Sequence, residues 1–535
     1  MSKPPAHDLF TLIKSLTKTE KRLFKLYAAR HAIGGKNKYV QLFDAIDRQK
    51  QYDERALLAQ NPSLRPLDLR SMKPYLYDLI LRCLRDSLRD RSAASRMRYQ
   101  VEKCELLIHK GLYAQASRQL ARVEHIAEAE GSLLLLLTIL DHEQSLKVRA
   151  AETNTLERQE ELYGRQIATL DMLRQNIEYY HLFMRTYYLH VNATRPLSGA
   201  DRDRVDDVRS SPLLHDDAAP LTPYGWMTLY EIHTRLCEIS GDRIGALRYS
   251  RKKVAFMDSV PGYREGHLYE YVYAVTSLVT FSLLFYLYEE AERQLATLKS
   301  LEISSPRLRV ELGICRYHCE LSYLRHSGQF ERAMQLVPEI AGFIDGHRDE
   351  IEITTILDFH VVFLDLAIKH GDPASARHWL GELVSNRDLY RFSRFLDNVK
   401  LLTVIVYFEA NDFDALESAV RSVYRYLRKK ERLFDFENIL LHFLRKLPGI
   451  ADAAALQEEL RRLHAELEAV SETPEGVRRN FQFDYMTWLE SRIRNLRFAD
   501  VLQENIGRWR REKHEILRNA GVEIVQRSMP QRTAR

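Results

Sequence analysis

The residues of this chain best suited to chemistry are few, and none of their spacings completes a site. Cys315, His318 and Cys319 stand at i, i+3 and i+4, which places three soft ligands on one face of a helix. Zinc normally takes four ligands, often as two pairs, and no second Cys or His pair at ligand spacing is present. The order Cys-x-x-His-Cys also differs from haem attachment, where His comes last. Glu178-x-x-His181 matches half of a di-iron bundle motif, but none of the nineteen histidines supplies the second half. Gly34-Gly35-Lys36 lacks the strand and the spacing of a phosphate loop and reads as a helix-ending turn. No Gly-x-Ser-x-Gly elbow and no His-Glu-x-x-His run occurs. The expectation is therefore a protein without catalysis, cofactor or metal. Cys315 and Cys319 read as small buried thiols on a packed helix.

The elements that carry these residues are helical. Gly (21) and Pro (16) are scarce in 535 residues, and both are costly inside helices and common in the turns of β-rich proteins. A hydrophobic fraction of 45% argues against disorder. The chain is too long for one compact core, so it divides into domains or extends as a repeat array. Five cysteines without framework spacing fit a reducing compartment, and MSKPPAHDLF contains no apolar signal segment. Tyr271 to Tyr288 is uncharged and just long enough to span a bilayer, but it holds four Ser and Thr residues and ends in phase with a repeat. It reads as a buried helix, and the expected location is cytoplasmic, away from membranes.

The repeat consists of a turn residue, a large apolar residue two positions on, and Ala three beyond that. Examples are Gly111-Tyr113-Ala116, Tyr286-Tyr288-Ala291, Gly328-Phe330-Ala333 and, more weakly, Asn411-Phe413-Leu416; Gly241 with Ala246 and Gly371 with Ala376 keep the outer positions. Gly or Asn accepts the left-handed conformation that ends a helix, the aromatic fills the gap beside the turn, and Ala lets two helices approach. From 241 the turns step by 45, 42, 43 and 40 residues to 411. The 130 residues from 111 to 241 make three such steps, which places further turns near 154 and 197. Thr153-Asn154-Thr155 and Arg195-Pro196-Leu197-Ser198-Gly199 are turn-forming there. About eight two-helix units are thus expected over residues 91–430, between a basic helical region at 1–90 and a helical cap at 431–535.

A Gly-x-aromatic-x-x-Ala turn between two amphipathic helices resembles the tetratricopeptide repeat. Here the steps are longer than that family's 34 residues, and its Trp and closing Pro are missing from most units. The resemblance covers about two-thirds of the chain. It implies an all-α fold, a right-handed superhelical α-solenoid with helical caps at both ends. It also implies that the first helix of each unit lines a concave groove. Counted back from the turns, the groove positions are Glu231, Arg235 and Glu238, then His318, Ser322 and Arg325, then Asp365 and Lys369. Such a mixed-charge face suits an extended peptide or a partner's helix, although a solvated helix face carries similar residues. The resemblance thus implies a protein-interaction scaffold.

The first ninety residues support an alternative. Thr17 and Glu20 have capping-box spacing, and short helices followed by a longer one through Tyr75 to Leu88 could form a helix-turn-helix. Residues 1–110 carry 23 Lys+Arg against 12 Asp+Glu, whereas residues 111–489 carry 45 against 56. Arg82, Arg85, Arg89 and Arg91 would be the nucleic-acid contacts of a regulator whose array senses a partner. Interleaved Asp78, Asp86 and Asp90 point instead to a solvated face with neighbouring-turn ion pairs. Beyond 430, Leu456, Leu460, Leu463 and Leu467 mark one seam; Trp488, Leu502, Ile506 and Trp509 mark another, read as the array's cap with a dimerising helix as the alternative.

Overall fold

In a computed structural model every regular element among the described residues is helical, with twenty-five α-helices and two short 3-10 turns. The structure describes residues 6–30, 37–61, 66–88, 93–149, 156–192, 199–215, 219–303, 305–431, 433–447, 452–471 and 483–524. The chain forms two compact units, Met1–Leu173 and Arg174–Arg535.

The first unit opens with a bundle of α1 (Ala6–Ser15), α2 (Lys18–Arg30), α3 (Lys38–Arg48), α4 (Glu54–Gln60) and α5 (Pro66–Leu88). The capping box at its second helix is formed: Glu20 N–H donates to Thr17 Oγ1 at 3.2 Å, and Thr17 N–H donates to the Glu20 carboxylate at 2.8 Å. Leu9, Ile13, Phe24, Leu42, Phe43, Ile46 and Ile80 make its core, with the Phe24 and Phe43 rings 4.6 Å apart. A hairpin of α6 (Ala93–His109) and α7 (Tyr113–Ala129) follows, then α8 (Leu133–Arg149).

Helix α9 (Leu156–Asn192) runs 37 residues without a break and contributes to both units. The steps of the repeat call for a second helix, a connection and a first helix between turns near 154 and 197. Both turns lie outside the described residues, and between them the connection is absent. Two helices are fused because the segment holds no Pro and only Gly164 to interrupt it.

The second unit continues with α10 (Gly199–Arg209) and then hairpins. These are α11 (Pro223–Ser240) with α12 (Arg243–Ser259), α14 (Leu268–Leu284) with α15 (Tyr288–Ser300), and α16 (Pro306–His326) with α17 (Phe330–Gly346). The last two are α18 (Ile353–His370) with α19 (Pro373–Ser385) and α20 (Ser393–Glu409) with α21 (Phe413–Lys429); a single turn, α13 (Tyr263–Gly266), precedes α14. Each hairpin packs on the next, α14 against α16 and α18 against α20. The uncharged stretch from Tyr271 lies mostly in α14, among buried side chains. No helix among the described residues is long and apolar enough to cross a membrane.

Six of the turn positions read from the sequence are described, and all have positive φ: Gly111, Gly241, Gly328 and Gly371 at 71–80°, Tyr286 at 55° and Asn411 at 53°. Each closes its first helix with the same pair of backbone bonds. At Gly371 the glycine N–H donates to Ile368 O at 3.1 Å, and Asp372 N–H donates to Ala367 O at 2.9 Å. At Tyr286 the equivalents are Leu283 O at 3.1 Å and Ser282 O at 2.9 Å. The partner alanines Ala116, Ala246, Ala291 and Ala333 are wholly buried, as close helix approach requires.

Past the hairpins, α22 (Asp435–Lys446), α23 (Ala453–Val470) and α24 (Tyr485–Arg494) stack in turn on α21. Leu460, Leu463 and Leu467 are buried, as are Trp488 and Leu489. Trp488 Nε1 donates to Glu409 Oε1 at 2.7 Å, which ties this stack to the end of α20. The last helix, α25 (Phe498–Asn519), does not extend the stack; it turns back along earlier hairpins.

The close packing makes one expectation specific. Ala333→Leu inserts three carbons where α16 and α17 have no space, so urea denaturation should show a loss of about 1–3 kcal/mol. Unchanged stability would mean that the alanine does not set the helix spacing.

Candidate functional site

Six of the eight residues assigned to a groove gather into two clusters on the first helices of hairpins. In the first, Glu231 and Arg235 are one turn apart on α11, with Arg235 Nε donating to Glu231 Oε1 at 2.8 Å. Lys253 of α12 reaches the other oxygen at 2.6 Å. Arg235 also donates to His190 Nδ1 of α9 at 3.2 Å, and the opposite ring nitrogen of His190 lies 3.2 Å from Glu238. Burial is the largest influence on Glu231 and would raise its pKa, but Lys253 and Arg235 outweigh it and hold the carboxyl down to about 2. Burial pushes Glu238 up to about 7 against the opposing pull of Arg235. Burial and Arg235 together push His190 down to about 4. The His190–Glu238 contact is therefore a hydrogen bond between neutral groups just below neutral pH, although its geometry matches an ion pair. With Glu238 protonated, two cations face one carboxylate.

In the second cluster Asp365 of α18 is 2% exposed and sits between two cations. Arg325, at the end of α16, donates to its Oδ2 at 2.7 Å, and Lys369 lies 2.9 Å from its Oδ1. His326 is anchored by its Nδ1 to Ser322 O at 2.8 Å, and burial followed by Arg325 pushes it down to about 4. Burial likewise lowers His318, opposed by Asp358 and reinforced by Arg325. Cys315 and Cys319 are buried; their thiols are raised, Cys315 to about 11, so both stay protonated. No group of His, Cys, Asp and Glu among the described residues could hold a metal ion.

Glu231, Arg235 and Glu238 thus converge with one another, and Arg325, Asp365 and Lys369 do the same. His318 and Ser322 lie on α16 between them in sequence. Most of these polar atoms are engaged with their neighbours, so each cluster also fastens one helix to the next. Arg325 and Asp365 are 40 residues apart, close to one repeat step. Arg251 and Glu290 repeat this at 39 residues, with a bidentate pair at 2.9 and 2.7 Å. Tyr288 OH donates to His326 O at 2.6 Å across 38 residues, satisfying a helix-end carbonyl of the following hairpin. Opposite charges one step apart are a signal that a search for turns alone does not use.

A surface not foreseen from the sequence is formed by the hairpin turns themselves, and α25 lies across it. Its residues meet the hairpins in reverse chain order. The Phe498 ring packs 5.6 Å from Phe330, and the Lys369 ammonium stands 5.4 Å from the same Phe498 ring. Gln503 Nε2 donates to Ser327 O at 2.5 Å, and a Cβ on Gly328 would come within 2.3 Å of it, so this glycine serves both the turn and the helix above. Trp509 meets Tyr286, and Arg510 grips Glu289 at 2.8 and 3.0 Å. Beyond it Leu517 is wholly buried, Arg248 donates to Ala520 O, and Arg251 donates to Glu523 O at 2.9 Å.

Some basic residues of the first bundle pair within it. Lys21 pairs with Asp47 at 2.7 Å, Lys25 with Asp44 at 2.7 Å and Lys73 with Glu54 at 2.5 Å. Arg82 and Arg85 are exposed, Arg85 beside Asp86 at 3.3 Å. Arg89 and Arg91 lie outside the described residues, as does Gly34-Gly35-Lys36.

The first cluster predicts a pH dependence. The folded-state pKa of Glu238, about 7, lies above its ordinary value of 4.5. Its stabilising contribution is complete below that ordinary value and is lost as pH rises through about 7. Glu238→Gln should therefore raise the Tm by roughly 2 °C at alkaline pH and leave it unchanged at pH near 5. Equal shifts at both pH values would contradict the assignment. Compared with protein-family models this chain matches none, and a search of curated proteins returns no match.

Proposed function

We propose that the chain is a non-catalytic, cytoplasmic interaction scaffold whose hairpins, stacked as a tetratricopeptide-like solenoid, hold a peptide or a helix of a partner protein. The observation that carries this reading is α25. The hairpins of the second unit already hold one amphipathic helix, through an aromatic pair at Phe330, a side chain to the Ser327 carbonyl and an Arg–carboxylate pair at Glu289. These are the contacts by which helical surfaces receive helices from other chains. The polar face of α11, α16 and α18 offers a second track of the same kind. The alternative is nucleic-acid contact through the exposed Arg82 and Arg85, while Lys21, Lys25 and Lys73 pair with carboxylates of their own bundle.

Affinity capture with the full chain, with and without nuclease and at two salt concentrations, tests this reading. The expected result is a protein retained near stoichiometry despite nuclease, cross-linking to α11, α16 or α18. Arg235→Ala with His318→Ala should weaken it by about tenfold, and Arg82→Ala with Arg85→Ala should leave it unchanged. Partners that vanish with nuclease and with moderate salt would overturn the scaffold in favour of phosphate contacts.

A further inference from the structure

Helix α25 is held on the row of turns largely through main chain. Gln503 donates to Ser327 O at 2.5 Å, and at the other end Arg248 and Arg251 of α12 donate to Ala520 O and Glu523 O, just past the end of α25. Two guanidinium groups there satisfy carbonyls and complement the negative end of the helix dipole, whatever side chains the helix carries. The pair Arg510–Glu289 is about one-third exposed on both sides. These contacts fix the direction of a helix more than its sequence, with its C-terminus at α12 and its start over Phe330.

The buried seam of α25 is also imperfect. Phe498, Val501, Leu502 and Leu517 lie in it, but Asn505 and His514 occupy buried positions between them. Asn505 donates to Glu490 of α24 at 2.9 Å. His514 is 6% exposed, and its Nε2 meets no hydrogen-bond partner among the described residues. A buried nitrogen left unpaired weakens the contact that encloses it. A helix with an apolar residue at this place would hold the same surface more tightly than α25 does.

We infer that α25 is a resident competitor, and that an amphipathic helix of another protein displaces it to dock on the row of turns, an inference that rests on the scaffold reading. The surface defines that helix: an aromatic residue over Phe330, an arginine twelve positions on for Glu289, and an apolar residue four beyond it in place of His514. Its last turn must be free to meet Arg248 and Arg251. Asn495, Leu496 and Arg497 join α24 to α25, with Asn495 in the left-handed conformation. Three residues span only about 10 Å, enough to let α25 swing aside but too little to hand it to a second copy while α24 stays in its stack. The occupant is therefore a separate polypeptide. Tethered so closely, α25 competes at an effective concentration on the order of millimolar.

Fluorescence anisotropy with the full chain tests this, using a labelled peptide of residues 496–524 that carries His514→Leu. The peptide should bind the wild-type chain weakly, and roughly tenfold more tightly a full-chain Phe498→Ala variant whose own helix is loosened. The same peptide with His514 kept should bind that variant about tenfold more weakly. Adding Glu289→Arg to the chain should reduce binding, and Arg510→Glu in the peptide should restore it. A photo-cross-linker at the peptide's C-terminus should label α12. Absence of binding to any variant that is folded by circular dichroism would overturn displacement, and a leucine peptide no tighter than the histidine one would overturn the role of His514. Label on α18 would overturn the direction, and copies that trade α25, seen as dimers in sedimentation velocity, would overturn the separate partner. A protein captured on α11, α16 or α18 equally well by the wild-type and His514→Leu chains would keep the scaffold and overturn displacement alone.

Discussion

The second unit depends on one backbone constraint repeated along the chain: a residue held at positive φ between two helices. The left-handed residue reverses the chain within three positions while its own N–H and the next one satisfy carbonyls at the helix end. Glycine adopts this conformation freely, and Tyr286 and Asn411 adopt it at a cost that the surrounding packing overcomes. Because the reversal is so short, the two helices must nearly touch, and that is why alanine follows at a fixed distance. Close helices in turn bring the second helix of one hairpin onto the first of the next. The Arg325–Asp365 and Arg251–Glu290 pairs then form one repeat step apart as a consequence of the stacking.

This constraint also creates the surface on which α25 rests. Turns at a regular step form a row, each with backbone carbonyls and the polar start of a helix near the surface. A helix crossing that row gains one set of contacts per hairpin: Phe498 at the turn of α16–α17, Arg510 at that of α14–α15, and the Ala520 carbonyl at α12. The apolar stretch at the end of the chain thus covers hairpins far from it in sequence, whereas α22 to α24 cap the final hairpin.

Much of this was legible in the sequence because the constraint is local. Gly-x-aromatic-x-x-Ala is a six-residue pattern whose physics is contained within it, so six described turns could be located, whereas the turn at Gly131, closed by the same pair of bonds but without the pattern, was not. The fusion of α9 was harder to foresee, since even spacing of turns does not reveal whether the connection between them breaks a helix. Among the groove positions counted back from the turns, Glu231, Arg235 and Glu238 meet, as do Arg325, Asp365 and Lys369. The sequence could not show that Asp365 is enclosed by Arg325 and Lys369, because that depends on which helix lies one step away. The path of α25 was least legible: its partners lie far away in sequence, 176 residues in the case of Gln503 and Ser327.

The central claim is that the row of turns is a preformed surface that holds a helix, as it would hold one from a partner. Hydrogen exchange on the full chain and on a chain ending at residue 497 tests it most directly. Faster exchange confined to the turns at 285–290 and 325–330 and to the middle of α12, with the hairpin interiors still protected, is the predicted result. Loss of protection throughout α14 to α18 would contradict the claim, because α25 would then be part of the core and not a helix received by a finished surface.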